Sequence, residues 1–355
     1  MRILQVCPAY YPSVGGVEEH VRKISEELAK KHEVTVATSD FPKNMFKEKV
    51  MDGVVIRRFK YWAPKTAYFF SRGMKTYLMD KSSDFDIVHA HSFHAFPALY
   101  AASAKKSNKL VFTPHYIGAG STRFRKLLHI PYKYWGGSIF KKSDRIISTS
   151  SFEKNMIIRR WKVDPNKIVL IPNGVDLENL RTIKNKKDHK SVLCVSRLEK
   201  YKGVQYAIMA MPFLSDDVIL EIVGRGSFKE KLIALSEKLG VRERVKFHAY
   251  LTRGELLQKY ADADLFILLS ERENFAICVA EALAACTPCI VANRMALQEW
   301  IDNKNCYGIN FPVDIGKLAE LIKSTIGKKV DGLRLLTWSE VAQRIAELYA
   351  IVLEE

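Results

Sequence analysis

The sequence predicts an α/β protein built from two parallel, doubly wound sheets. In both halves of the chain short apolar strands alternate with amphipathic helices, a pattern typical of parallel sheets. The length of 355 residues suits two domains better than a single core. A polar, basic stretch at 179–190 separates the two halves, so we expect one domain at 1–180 and another at 181–338.

The first half contains seven short apolar runs that predict strands. They lie at 2–7, 34–38, 54–59, 86–90, 109–113, 145–149 and 167–171. Helical patterns fall between several of them, at 17–31, 96–106 and 152–161. This order of strand, helix and strand favours a parallel sheet in the first half.

The second half repeats the same order of elements. Strands are predicted at 191–196, 218–224, 244–249, 264–269 and 288–292, and helices at 203–211, 228–240, 254–263 and 275–286. In open α/β sheets ligands bind beyond the carboxyl ends of the strands. Polar side chains that directly follow a predicted strand are therefore the first candidates for a functional site.

The composition indicates a globular protein in a reducing compartment. Hydrophobic residues make up 48% of the chain and charged residues 27%. No apolar run approaches the roughly 20 residues that span a bilayer, and the start of the chain resembles a strand rather than a secretory signal. The six cysteines lie within apolar patterns, and we interpret the Cys286–Cys289 C-x-x-C pair as packing. These features predict a cytoplasmic location.

The formal net charge of +17 is concentrated in the first half. Residues 1–180 hold 30 Lys and Arg against 16 Asp and Glu, whereas residues 181–355 hold 26 against 23. Two stretches, 57–78 and 121–137, mix basic and aromatic residues. Such mixtures suit an anionic membrane surface or an acidic glycan. The alternative is that the aromatics pack inward while the cations are solvated.

Two glutamates, Glu273 and Glu281, flank a predicted strand-to-helix turn. With a helix beginning near Phe275, their backbones would lie roughly 10–12 Å apart. That separation exceeds what two carboxylates acting on one bond need, about 5–10 Å. It suits an elongated ligand such as a nucleotide sugar, whose diphosphate would meet the N–H groups of the helix start. The alternative is two solvated charges on a helix face.

Further polar clusters follow other predicted strands. Gly15 and Gly16 precede the first helix, where they suit either close approach to a phosphate or sugar or a tight turn. His115 follows the strand at 109–113, where it would face a cleft, although a lone histidine is usually structural. In the second half Arg197 and Lys202 bracket a loop, and two such cations could neutralise a diphosphate. The alternative is a solvated basic turn. Gly224 and Gly226 form a second glycine-rich turn, which lets a backbone approach a ligand closely.

Taken together, these clusters resemble the retaining glycosyltransferases of family four, which have the GT-B fold. The matching residues are Gly15-Gly16, Thr113-Pro114-His115, the segment 171–176, Arg197 to Gly203, Val223 to Gly226, Glu273, Glu281 and Thr337-Trp338-Ser339. The resemblance implies two Rossmann-like domains facing across a cleft. It also implies that the last helix, 339–355, packs back on the first domain.

By this resemblance the first domain binds the acceptor and the second binds a UDP- or GDP-linked sugar. Glu281 would bind the ribose, while Glu273 and His115 would contact the transferred sugar. Arg197 and Lys202 would neutralise the diphosphate in place of a metal ion, so neither metal nor cofactor is expected. Further substrate-binding residues would be Gly15, Gly16, Asn173, Gly224, Gly226, Asn274, Phe275 and Ala276. The implied acceptor is a lipid-linked or other anionic glycan, and the enzyme would lie peripherally on the inner face of the membrane.

The chain departs from the family pattern at several glycines. The family often has Glu-Gly-Phe-Gly where this chain has Glu273-Asn274-Phe275-Ala276. Cys286 stands where glycine is usual, and Arg294-Met295 where Gly-Gly is common. We therefore expect the contacts to the donor sugar to differ from the usual ones.

Two other function classes remain as alternatives. The sequence pI near 9.5 suits a nucleic-acid or polyanion-binding protein. However, the chain has no recognised nucleic-acid motif, and that reading leaves the two glutamates unexplained, so nucleic acid is not an expected partner. A sugar-nucleotide epimerase or a phosphorylase would keep the same fold without the transfer to an acceptor.

Overall fold

The computed structural model describes residues 1–13, 15–39, 47–63, 68–118, 123–177 and 189–355. Two compact units divide them. The first comprises Met1–Asn173 together with Trp338–Glu355, and the second comprises Gly174–Thr337. Most of the predicted linker at 179–190 lies outside the described residues. Each unit has its own sheet and its own apolar core.

The first unit is built on an eight-stranded sheet with the order β3-β4-β2-β1-β5-β6-β7-β8. The strands are β1 (Arg2–Cys7), β2 (Glu33–Thr38), β3 (Glu48–Met51), β4 (Val54–Arg58), β5 (Ile87–His91), β6 (Lys109–Thr113), β7 (Arg145–Ser148) and β8 (Ile168–Leu170). All neighbours pair in parallel except β3, which runs antiparallel to β4 at the edge. The strand order reverses between β1 and β5, the position at which such sheets bind ligands.

The helices of the first unit lie between its strands, with one exception. They are α1 (Gly16–Ala29), α2 (Arg72–Lys81), α3 (Phe96–Ser103), α4 (Arg123–Lys142), α5 (Ser151–Trp161) and α11 (Trp338–Glu354). The exception is α11, which follows the second unit in the chain and packs against α1. Its Tyr349 is fully buried, and the hydroxyl lies 2.6 Å from Nδ1 of His89.

The second unit has a six-stranded, all-parallel sheet with the order β11-β10-β9-β12-β13-β14. The strands are β9 (Lys190–Val195), β10 (Val218–Val223), β11 (Val245–His248), β12 (Leu265–Leu268), β13 (Cys289–Ala292) and β14 (Cys306–Ile309). The helices are α6 (Val204–Ala210), α7 (Lys229–Lys238), α8 (Arg253–Asp262), α9 (Ile277–Ala284) and α10 (Ile315–Thr325). Here the strand order reverses between β9 and β12.

The predicted fold class of two doubly wound α/β domains is confirmed. The pattern of apolar runs located twelve strands, and β1 and β6 have the predicted ends. It missed β3 and β14, helices α2 and α4 in the basic aromatic stretches, and helix α10. Among the described residues, none of the helices combines the length with the apolar character that crossing a bilayer requires.

The interpretation of the cysteines needs one correction. All six thiols are free, and Cys7, Cys194, Cys289 and Cys306 are buried as expected of small core residues. Cys286, however, is exposed, so it does not pack. It lies two residues beyond the end of α9, and its backbone has a φ of +60°.

Candidate functional site

In the second unit, the loops that follow β9 and β12 are joined at the point where the strand order reverses. The carbonyl oxygen of Tyr201 accepts a hydrogen bond of 2.8 Å from the backbone N–H of Glu271. Gly203 fits so closely that an added Cβ would lie 2.0 Å from the carbonyl oxygen of Leu269. The two loops therefore form one continuous surface beyond the carboxyl ends of the central strands.

Tyr201 lies between the two predicted cations. Arg197 donates a hydrogen bond of 2.6 Å from Nη2 to the tyrosine hydroxyl. The ring centroid lies 6.0 Å from Cζ of Arg197 and 5.6 Å from Nζ of Lys202. The loop therefore brings Arg197 and Lys202 together around the ring of Tyr201. The sequence pattern did not identify Tyr201 as part of the site.

Lys202 forms a largely buried ion pair with Glu273. The Nζ and Oε1 atoms lie 2.5 Å apart, and the two side chains are 12% and 13% exposed. Burial on its own would lower the pKa of Lys202, but the Glu273 carboxylate outweighs this and raises that pKa above its ordinary value. The structure thus pairs Lys202, predicted to bind the diphosphate, with Glu273, predicted to bind the sugar.

Gly224 and Gly226 are explained by the packing of two loops. A Cβ on Gly224 would lie 1.9 Å from the carbonyl oxygen of Ser196, and one on Gly226 would lie 2.1 Å from that of Leu198. The backbone N–H of Leu198 also donates a 2.7 Å hydrogen bond to the carbonyl oxygen of Arg225. These glycines let the loop after β10 approach the loop that contains Arg197.

The predicted start of the helix after Glu273 was wrong by two residues. The helix begins at Ile277, because Ala276 has a φ of +69° and a ψ of +73°, which interrupts the helical path. The separation of Glu273 and Glu281 therefore does not follow from helical rise alone. Phe275 is held by Trp300, whose Nε1 donates a 2.7 Å hydrogen bond to the Phe275 carbonyl oxygen. Asn274 lies in the turn between Glu273 and Phe275 and is partly buried.

Glu281 lies in α9 and is mostly buried, with a side chain 8% exposed. Its Oε1 forms an ion pair of 2.6 Å with Nη1 of Arg253, and Nη2 of the same arginine lies 3.0 Å from Asp176. Burial, together with the Glu281 charge, raises the pKa of Tyr260 well above its ordinary value. Glu281 is therefore a fixed carboxylate within a charged network rather than a solvated charge on a helix face.

Three residues have left-handed backbone where the family pattern has glycine. They are Ala276, Cys286 and Met295, with φ values of +69°, +60° and +52°. The chain thus keeps a backbone conformation that favours glycine, but it fills these positions with side chains.

In the first unit, His115 lies with two other histidines at the carboxyl edge of the sheet. Its ring centroid is 5.0 Å from that of His20 in α1 and 6.0 Å from that of His91, the last residue of β5. One ring nitrogen of each residue lies within 4.8 Å of one from the other two. Neither His20 nor His91 was identified from the sequence, where single histidines within apolar patterns are usually structural.

Amide side chains fix the orientation of two of these rings. Nδ1 of His20 lies 2.7 Å from Oδ1 of Asn173, and Nε2 of His91 lies 2.7 Å from Oε1 of Gln5. Because an amide oxygen only accepts, the bonded ring nitrogens carry the hydrogens. Asn173, a predicted substrate ligand, therefore contacts His20 in this structure.

The three histidines are neutral near pH 7. Burial lowers the pKa of His20 to about 4, although the hydrogen bond to Asn173 raises it in part. Burial also lowers the pKa values of His91 and His115 well below the ordinary range, and the neighbouring histidines lower them further.

Gly15 and Gly16 lie at the start of α1, the helix that contains His20. Gly15 is the N-cap residue, and a Cβ there would lie 2.4 Å from a carboxylate oxygen of Glu18. A Cβ on Gly16 would meet no described atom within 4 Å. Gly16 thus leaves open space beside the backbone at the start of α1.

Exposed aromatic side chains lie in the two basic aromatic stretches of the first unit. Trp62 packs against Phe70, and the ring of Phe70 lies 4.2 Å from that of Phe96, which contacts Tyr132. The aromatic surface, as we call it, consists of Trp62, Tyr134 and Trp135, which are 67%, 87% and 54% exposed. Residues 64–67, 121 and 122 of these stretches lie outside the described residues.

Comparison with known proteins identifies the family of each unit. The profile described as Glycosyltransferase Family 4 matches residues 14–179, and that described as Glycosyl transferases group 1 matches residues 176–334. Together they cover nearly the whole chain. The site residues of both units fall within these matches.

Individual relatives agree with this assignment. The glycogen synthase of Mycobacterium tuberculosis is 27% identical over 394 residues, covering 98% of this chain and 94% of that protein. An Escherichia coli UDP-Gal:alpha-D-GlcNAc-diphosphoundecaprenol alpha-1,3-galactosyltransferase is 28% identical over 248 residues, 65% of this chain and 62% of that protein. HepE of Anabaena, solved in complex with UDP and glucose, superposes with a TM-score of 0.80 at 19% identity and 99% coverage of both chains. The chain therefore belongs to the family-four glycosyltransferases of the GT-B fold.

Proposed function

We propose that the protein transfers a sugar, with retention of configuration, from a UDP- or GDP-linked donor to a lipid-linked or other anionic glycan acceptor. The observation that carries the proposal is the Lys202–Glu273 ion pair, held beside Arg197 and Tyr201 where the second sheet reverses its strand order. This is the position at which a doubly wound sheet binds a nucleotide. The pairing supports joint action on the diphosphate and on the sugar attached to it.

Lys202 and Arg197 supply the charge that the departing diphosphate needs. One N–H of Lys202 is occupied by Glu273, and an ammonium has three, so two remain for phosphate oxygens. Fixed cations stabilise the negative charge that develops as the bond between the anomeric carbon and the phosphate oxygen breaks. In this proposal they take the place of a metal ion at the diphosphate, and the transfer uses no cofactor.

The sugar is held at the same place, with Glu273 accepting from its hydroxyls. The acceptor hydroxyl attacks the anomeric carbon on the face that the diphosphate leaves. The electron pair of the broken bond passes to the phosphate oxygen, which takes the acceptor proton. His115 accepts a hydrogen bond from a sugar hydroxyl, and Glu281, fixed by Arg253, binds the ribose.

Glycines and backbone groups complete the proposed donor site. The turn residues Asn274, Phe275 and Ala276 present backbone to the phosphates or the sugar. Gly224 and Gly226 keep their loop close to the loop containing Arg197. Gly15 and Gly16 approach the distal phosphate, and Asn173 acts through His20.

We test the donor site by measuring acceptor-dependent nucleotide release with a panel of UDP- and GDP-sugars. The right donor should also raise the melting temperature, because it binds the folded protein. Lys202→Ala and Glu273→Ala should each lower kcat/KM by about 10²–10³-fold, as expected for groups that stabilise a transition state.

Lys238→Ala is the matched control, since Lys238 is an exposed lysine of the same unit at the end of α7. It should leave the release rate unchanged. Turnover that survives both Lys202→Ala and Glu273→Ala in folded protein would contradict the assigned roles. Nucleotide release that does not depend on an acceptor glycan would contradict transfer to an acceptor and would favour an epimerase of the same fold.

The acceptor side rests on the aromatic surface and on the excess of basic residues in the first half. Exposed tryptophans beside lysines and arginines suit the headgroup region of an anionic membrane. We therefore propose peripheral association with the inner face of the membrane and a lipid-linked acceptor. Nucleic acid has no part in this function.

Vesicle sedimentation measures this association directly. The protein should bind vesicles with 30% anionic lipid at low salt, and Trp62→Ala with Trp135→Ala should weaken binding at least about 10-fold. Phe213→Ala, which changes an exposed aromatic of the second unit that is 56% exposed, should have no effect. Wild-type protein that stays in the supernatant at low salt would rule out the membrane part of the proposal.

A further inference from the structure

The histidine cluster of the first unit, His20, His91 and His115, has a feature that the transfer reaction does not explain. Each ring has one buried nitrogen without a hydrogen-bond partner among the described residues. They are Nε2 of His20, Nδ1 of His91 and Nε2 of His115. A buried polar atom that forms no hydrogen bond costs about 1–3 kcal/mol, so three in one cluster require a reason.

A neighbouring histidine shows that the surrounding fold can satisfy an imidazole completely. His89 is also fully buried, and its ring centroid lies 4.1 Å from that of His91. Its Nδ1 contacts the Tyr349 hydroxyl at 2.6 Å, and its Nε2 contacts Oγ1 of Thr113 at 2.7 Å. The unpartnered nitrogens are thus confined to the three residues that face one another.

The hydrogen bonds to amide side chains assign the lone pairs of two of these rings to the unpartnered nitrogens. Asn173 accepts from Nδ1 of His20, so the lone pair of that ring is on the unpartnered Nε2. Gln5 accepts from Nε2 of His91, so there the lone pair is on the unpartnered Nδ1. Metal-binding histidines have this pattern, in which the second ring nitrogen donates to an oxygen that fixes the tautomer and the ring orientation.

We propose that His20, His91 and His115 form a three-histidine site for a divalent transition metal, with Zn²⁺ as the first candidate. Three neutral imidazoles and one open position are a zinc coordination set. Bonds of about 2.0–2.1 Å to a tetrahedral ion place the three nitrogens about 3.3–3.4 Å apart. Ring nitrogens already within 4.8 Å of one another reach that spacing through small rotations of the rings.

The nature of the ligands decides which ions fit. Imidazole nitrogen suits Zn²⁺, Co²⁺, Ni²⁺ and Cu²⁺, whereas Mg²⁺ and Ca²⁺ prefer oxygen ligands. Among the described residues, the group of possible metal ligands consists of the three histidines and contains no carboxylate. The site should therefore discriminate against Mg²⁺. It is distinct from Arg197 and Lys202 of the second unit, the proposed diphosphate ligands.

The inference does not depend on the proposed function, but it changes the part that His115 plays in it. One nitrogen cannot bind a metal and a sugar hydroxyl at the same time. In the metal-loaded protein the fourth coordination position, rather than the imidazole, meets an oxygen of water or of a substrate. The metal site therefore adds a binding point at the carboxyl edge of the first sheet.

The test measures metal content and coordination, not activity. Protein without a histidine tag is stripped with chelator, incubated with Zn²⁺, gel-filtered and analysed by elemental mass spectrometry. We expect close to one equivalent of zinc, and none of Mg²⁺ under the same treatment. Loading with Co²⁺ should give the intense visible bands of a tetrahedral, nitrogen-coordinated ion, a readout that requires no variant.

Variants then locate the site. His20→Ala and His91→Ala should each weaken zinc binding at least about 100-fold in competition with a chromophoric chelator, and Asn173→Ala about 10–100-fold through loss of ring orientation. His32→Ala is the control, because His32 follows α1 in the same unit but lies outside the cluster. It should retain full binding.

Two outcomes would overturn the proposal. One is wild-type protein that retains less than a tenth of an equivalent of zinc and shows no tetrahedral cobalt spectrum. The other is zinc binding that survives His20→Ala and His91→Ala in protein whose circular dichroism is native. Because zinc content and the cobalt spectrum do not involve the donor, this result is independent of any failure to find a nucleotide sugar.

Discussion

Cys286 shows how a single residue can sit against its own backbone preference. It follows α9 in a Schellman motif, in which the N–H of Thr287 donates to the carbonyl of Ala282 and that of Cys286 to Leu283. The Cys286 φ of +60° is left-handed, which costs a residue with a Cβ about 1–2 kcal/mol. Glycine avoids that cost.

We therefore predict that Cys286→Gly stabilises the second unit. Relief of the backbone strain exceeds the extra unfolded-state entropy of glycine, leaving a gain of about 0.5–1 kcal/mol. The melting temperature should rise by about 1–4 °C in calorimetry. Asn303→Gly, at a φ of +56°, should gain less because asparagine tolerates this conformation. A gain from Cys286→Gly that is equal to or smaller than the gain from Asn303→Gly would contradict the strain argument.

The Lys202–Glu273 pair makes a prediction about pH. Because the pKa of Lys202 is higher in the folded than in the unfolded protein, the pair contributes its full stability below pH 10.5. That contribution is lost as the pH rises through the folded value. Lys202→Met should cost about 2–4 kcal/mol at pH 8, because it leaves a largely buried carboxylate without its cation.

Urea unfolding at pH 8, 9.5 and 11 measures the difference between wild type and Lys202→Met. The deficit of the variant should be equal at the first two values and smaller at the third. A deficit that grows with pH would mean that the ion pair does not stabilise the fold.

The sequence revealed residue types at strand ends, but not the partners of those residues. Glu273 and Lys202 were identified because they follow strands in a recognisable pattern. Their pairing was not predicted, because 71 residues separate them and only the strand order brings them together. Arg253 was missed because an arginine at the start of a helix usually faces solvent.

At the scale of elements, Glu153 ties the start of α5 to the segment that contains His115. This side chain is fully buried, and Oε1 accepts a 2.5 Å hydrogen bond from the backbone N–H of Tyr116. Oε2 accepts from the N–H of Thr149 at 3.0 Å. The carboxylate therefore holds the residue next to His115, whose own φ is +47°.

Glu153→Gln should lower the free energy of unfolding by about 1.5–3 kcal/mol. The amide keeps one acceptor oxygen, so either the Tyr116 or the Thr149 N–H loses its partner. Chemical denaturation measures the loss. Glu237→Gln, which changes an exposed glutamate of α7, is the control and should cost less than about 0.5 kcal/mol. A similar cost for both variants would refute this role of Glu153.

Among the strands, those that the sequence predicted best are buried in the sheets. β1 and β6 are short, largely buried apolar runs, a pattern that predicts a strand, and their ends were predicted correctly. β3 was missed because it is a mostly exposed edge strand with the sequence EKVM, which lacks an apolar run. The start of α9 was missed because the left-handed Ala276 is unusual for alanine, a good helix former.

At the scale of the whole molecule, α11 completes the first unit although it follows the second in the chain. Its buried face includes Val341, Ile345, Leu348 and Val352, and Tyr349 contacts His89. Burial of five large side chains contributes about 7–15 kcal/mol before the entropy of ordering the helix is subtracted. That is comparable to the total stability of a domain.

Removal of residues 338–355 should therefore unfold the first unit and leave the second folded. Calorimetry of the shortened chain should show one transition in place of two. Ile345→Ala should lower the stability of the first unit by about 2–4 kcal/mol. Ile351→Ala, at a position of the same helix that is 53% exposed, should cost less than about 1 kcal/mol. An intact first transition after truncation would show that α11 is dispensable.

The position of α11 also sets an order of events during synthesis. Translation delivers every strand of the first sheet early, but the helix that covers part of its core emerges after the entire second unit. The second unit can thus fold during synthesis before the first unit has the helix that completes its core. Chains that end before Trp338 and have been released from the ribosome should be protected from protease only in the second unit.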